Sequence, residues 1–133
     1  MLNNVHKNEK LNKADQFLQE CVGWLRLLDF LKQENSFLKT RLSSVVDYET
    51  NREFLNEAEQ YQNLFLQRDE FINEIIKDAK AHQETISKIL VLEKNIDERT
   101  NKQQQKLRNE VERLERDFTK MKNDFNKELY KLL

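Results

Sequence analysis

The chain has 133 residues, no proline and one glycine, Gly23. Turns and hairpins draw on those two residue types, so a sheet-rich fold is disfavoured, and a glycine-rich phosphate loop is ruled out. The net charge of −1 gives no global pull toward nucleic acid or membranes, and the single cysteine, Cys21, excludes an internal disulfide.

The opening segment, MLNNVHKNEKLNKADQ, has no apolar run of the kind a signal peptide needs. The expectation is a cytoplasmic protein. From Ala14 a seven-residue repeat can be read directly. Ala14, Cys21, Leu28, Asn35 and Leu42 form one column, and Phe17, Trp24, Leu31, Leu38 and Val45 form the column three residues on. Both columns lie on one face of a helix, in the manner of coiled-coil a and d positions. The stretch FLQECVGWLRLLDFL, residues 17–31, is apolar beyond that face. Leu18 and Leu25 widen the stripe on one flank and Leu27 on the other, as two neighbouring helices would require. Val22, Phe30 and Phe37 fall outside the arc and need a further cover, so an intermolecular contact is expected at Val22, Leu27, Phe30 and Phe37.

The repeat fades at SSVVDYETN, where Asp47, Thr50 and Asn51 are all possible N-caps and Thr50 with Glu53 has capping-box spacing, so a turn is placed near residues 47–50. The second helix continues the period. Ala58, Phe65, Ile72, Ala79 and Ile86 make one column. Phe54, Tyr61, Ile75, Ile89 and Ile96 make the other, with Arg68 and His82 in its gaps. Arg68 and Glu93, charged residues at core-column positions, are expected to reach the rim with buried stems. DAKAHQET, residues 78–85, is the weakest point, and a break there would give four helices.

NIDERTNKQQQK, residues 95–106, holds one apolar residue, and Thr100 with Gln103 again has capping-box spacing. Beyond it Leu107, Val111, Leu114, Phe118, Met121, Phe125 and Leu132 form a stripe out of phase with the preceding one, which a turn explains. The fold class is therefore all-α: an elongated antiparallel three-helix bundle or coiled coil. A single domain over residues 1–133 is expected, with helices at about 6–46, 51–97 and 102–132. Residues 1–46, 47–98 and 99–133 carry +2, −7 and +4. An acidic middle helix thus lies between two basic ones, and charge pairing of helix 2 with both is expected.

Chemistry finds little footing. The histidines are His6 and His82 alone, and neither belongs to the Glu-x-x-His pattern of di-iron bundles. His82 reads as a polar residue at the core edge and Cys21 as a small buried one. Neither cofactor nor metal is expected, and no catalytic role. Asn35 is the uncharged polar residue in the first helix's core columns. It either sets register from within the core or sits at a wet edge. The basic C-terminal helix interleaves acids throughout, so neither nucleic acid nor a membrane is expected as partner. The functional expectation is a non-catalytic interaction module, a scaffold or adaptor, that self-associates through helix 1 or binds another helical protein. The alternative is a bundle that holds a small apolar ligand in its aromatic-rich core, with Trp24 and Tyr61 on the walls.

Overall fold

The computed structural model describes residues 2–132, with side chains described from residue 13 onward, so His6 lies outside the described side chains. Among the described residues the chain forms three helices and no strand: α1 (Leu2–Tyr48), α2 (Arg52–Val91) and α3 (Glu98–Lys131). The fold is an all-α three-helix bundle. Short connections turn the chain back twice, so α2 runs antiparallel to α1 and α3.

The first turn forms where expected, and of the three candidate caps Asn51 is the one used. Glu49 Oε1 accepts from the backbone N–H groups of Thr50 and Asn51 at 3.0 and 2.9 Å. The side chain that caps α2 is that of Asn51, whose Oδ1 accepts from the Phe54 N–H at 3.1 Å. Thr50 stands one residue too early for that role.

The second turn corrects the expected boundaries of 51–97 and 102–132. α2 ends at Val91 and α3 begins at Glu98. The Lys94 N–H reaches the Ile89 carbonyl at 3.0 Å, and the Glu93 N–H reaches that of Leu90 at 3.2 Å. This is a Schellman closure, which needs a left-handed residue between them. Glu93 supplies it at φ 54°. Glu93 is therefore a helix terminator and not a core-column residue. Asp97 then caps α3, its Oδ1 accepting from the Thr100 N–H at 2.7 Å.

No break occurs at residues 78–85, where α2 is continuous. The four-helix alternative is thereby set aside. Ala79 and Ala81 are strong helix formers, and no residue of the segment is a breaker.

The packing divides into two compact units, each drawing on all three helices. The first comprises Met1–Leu28 with Glu74–Val111, and the second Asp29–Asn73 with Glu112–Leu133. In the first, Ala14, Cys21, Leu28, Ala79, Ile86 and Leu107 are fully or almost fully buried. In the second, Leu38, Phe65, Ile72, Leu114 and Phe125 fill the centre. There the Phe125 ring meets those of Phe65 and Tyr61 edge-on, with centroids 5.1 and 5.2 Å apart. Such pairs add about 1 kcal/mol beyond the area they bury.

Candidate interaction surface

In the first unit the α1 residues Val22 and Leu27 are respectively exposed and half buried. In the second unit, Phe30 and Phe37 stand further out, 55% and 63% exposed. They lie seven residues apart on one line of α1, so both rings leave the same side of the helix. A shallow groove of about 390 Å³ runs beside them, lined also by Arg41, Lys122 and Asn126. Lys122 is held by Glu34 at 3.0 Å, and Arg41 donates to Asn126 Oδ1 at 3.4 Å. The surface is built by core geometry. Leu31, Leu38 and Leu42 take the inward positions, which forces Phe30 and Phe37 outward.

A second, larger groove of the same unit lies between α2 and α3, with a volume of about 600 Å³. Tyr61, Leu64 and Met121 give it an apolar lining, and Glu57, Asp117, Asp124 and Glu128 give it four carboxylates. Arg68 and Lys120 also face it, and the Arg68 Nε is buried without an acceptor. A hydrogen bond shared with Glu128 holds the Glu57 carboxyl above its usual pKa, while Lys131 holds Glu128 below. Burial, and then the charges of Glu128, Asp124 and Glu57, push the Tyr61 hydroxyl up. The groove thus sets four acidic side chains against two basic ones. Leu64 and, further along α2, Phe71 stay exposed.

Asn35 is fully buried, not at a wet edge. Its Nδ2 donates at 2.8 Å both to the Phe65 carbonyl and to Asp69 Oδ1, tying α1 to α2. Lys39 completes the cluster through an ion pair with Asp69.

The first unit contains a buried polar layer that the sequence pattern had concealed. Gln104, fully buried, is its centre. Its Nε2 donates to Glu20 Oε1 at 2.8 Å and to the Phe17 carbonyl at 3.2 Å. Its Oε1 lies 2.6 Å from His82 Nε2 and accepts from Cys21 Sγ at 3.9 Å. Arg108 clamps Glu20 with two bonds of 2.7 Å. The Arg108 bonds hold Glu20 below the usual carboxylate range, and burial lowers His82. Burial and the neighbouring Glu20 charge push the Cys21 thiol up to about 11, which keeps it protonated and a poor nucleophile. Residues 78–85, the weakest point of the apolar pattern, and the polar run 95–106, which reads as a turn, thus face each other through His82 and Gln104. Counting back from Leu107 by three and by seven lands on Gln104 and Thr100, both buried, so the period itself held the signal.

Charge pairing also differs from the expectation. The α3 cations Arg108 and Lys122 reach Glu20 and Glu34 of α1, whereas α2 joins α1 through Asp69 and Lys39. Trp24 and Tyr61, expected as walls of one ligand site, belong to different units. Among the described residues, no helix is long and apolar enough to cross a membrane.

No family model, curated protein or solved structure matches the chain.

Proposed function

We propose that the chain is a non-catalytic protein–protein interaction module of the cytoplasm, a scaffold or adaptor that self-associates through the outer face of α1. One observation carries this reading. Phe30 and Phe37 project into water from a helix whose inward positions are already filled. Burying a phenylalanine side chain is worth about 1.5–3 kcal/mol, so two aligned rings are a substantial unmet driving force for association. Val22 and Leu27 extend the apolar character of α1. Asn35, buried and hydrogen-bonded across the helices, would fix the register of α1 against α2 and so the direction in which Phe30 and Phe37 point.

The alternative, a small apolar ligand within the aromatic core, has less support. Phe65 and Phe125 are fully buried against one another. Tyr61, the remaining aromatic there, packs against both rings. Heat stability that rises with an added hydrophobic ligand would reinstate it.

Phe30→Glu tests the interaction reading. The expected result is loss of association with an unchanged helical signal in circular dichroism. Loss of the helical signal itself would place Phe30 in the internal core and overturn the reading.

A further inference from the structure

We infer that the occupant of the α2–α3 groove is α1 of a second copy of the chain, entering with Phe30 and Phe37, so that the copies join head to tail. The inference rests on the proposed self-association through α1 and names the surface that receives it.

Length is the first support. At 1.5 Å per residue, the groove runs ~16 Å along each helix, from Glu57 to Arg68 on α2 and from Asp117 to Glu128 on α3. Phe30 to Arg41 on α1 spans the same eleven residues. Two aromatic anchors and one cation therefore fit within the groove without overhang.

Charge is the second support. The Phe30–Phe37 surface carries the exposed Arg41 one turn beyond Phe37. The groove ends, on one side, at the acidic side chains of Glu57 and Glu128, one from each helix. An incoming guanidinium there would join Lys131 in meeting acidic side chains from both helices.

Symmetric pairing of α1 with its own copy fits less well. Antiparallel helices with Phe30 opposite Phe37 bring Arg41 against Arg26, and like charges in register oppose association. The contact surfaces of the head-to-tail arrangement are different patches on the two copies. Such an interface does not close on itself after two chains, and growth continues into a ring or filament.

Mixing distinguishes the two arrangements. Phe30→Glu blocks the entering face, and Leu64→Lys combined with Asp124→Lys blocks the groove. Phe37→Glu and Asp117→Lys serve as second variants should either of these lose its helical signal. The expected result is that each variant alone is monomeric and that an equimolar mixture gives a complex of two chains, one intact interface per pair. A groove variant that still self-associates would overturn the inference while leaving α1 as the contact. So would a mixture that stays monomeric although the unaltered chain assembles. An unaltered chain that is monomeric at every concentration would overturn both this inference and the reading beneath it.

Discussion

His82 and Gln104 meet at 2.6 Å inside the first unit, joining α2 to the opening turns of α3. Both side chains are buried, and Gln104 uses its two donors and two acceptor positions. A satisfied polar layer of this kind is costly to break from one side only. Gln104→Leu strands His82 and removes a donor from Glu20. It should destabilise the fold by about 1–3 kcal/mol in urea denaturation. His82→Leu alone should also destabilise. The double variant should be more stable than the sum of the two losses implies, because no orphan imidazole remains. Strict additivity would mean that the two residues do not act as a pair.

The same pair sets a pH dependence. Burial lowers the folded-state pKa of His82 below its ordinary value of 6.5. The unfolded chain then binds the proton more readily than the folded one. Stability from this group is full above 6.5 and is lost progressively as pH falls through that value toward the lower folded pKa. Glu20, also lowered, adds a second loss in the acid range below its ordinary 4.5. Melting temperatures measured across pH should show both steps, and His82→Gln should remove the first and spare the second. A variant that keeps the first step would assign it elsewhere.

Asn35 and Asp69 make the corresponding link in the second unit. Asn35→Ala removes two hydrogen bonds of 2.8 Å and should cost about 1–3 kcal/mol. A double-mutant cycle with Asp69→Ala should return a coupling of about 0.5 kcal/mol or more, because the residues touch. Zero coupling would reduce Asn35 to a buried amide whose partner is Phe65 alone.

Glu93 carries backbone strain at the end of α2. A non-glycine residue at φ 54° costs about 1–2 kcal/mol relative to its preferred conformations. Glu93 is exposed, so glycine there relieves the strain at the cost of the side chain's own interactions. Glu93→Gly should therefore stabilise the protein, by about 1 kcal/mol, with a higher denaturation midpoint and an unchanged slope. A lower midpoint would show that the carboxylate contributes more than the strain costs.

Much of the fold was legible because the apolar columns repeat at 3–4 spacing. Ala14, Cys21, Leu28, Leu38 and Leu42 are buried where the repeat places them, as are Ala58, Phe65, Ile72, Ala79 and Ile86. Two kinds of feature were not legible. Gln104 and Thr100 continue the α3 stripe, but their polarity made the run look like a turn. Only the partners Glu20, Phe17 and His82, distant in sequence, make burial of Gln104 affordable. The end of α2 lacked the glycine that normally marks a left-handed closure, since Glu93 takes that conformation instead. Leu129, one turn after Phe125, is buried, whereas Leu132, which the stripe includes, is half buried. On the candidate surface, the repeat marked Phe30 and Phe37 as outward because both lie off the two core columns. The α2–α3 groove was not legible, because its carboxylates come from two helices and converge only when these pack.

In the proposed function, the exposed face of α1 is covered by another chain. The most direct measurement is the mass in solution by light scattering over a dilution series. The expected mass lies above that of one chain at high concentration and falls toward one chain, 16.2 kDa, on dilution. One chain's mass at every concentration would contradict it.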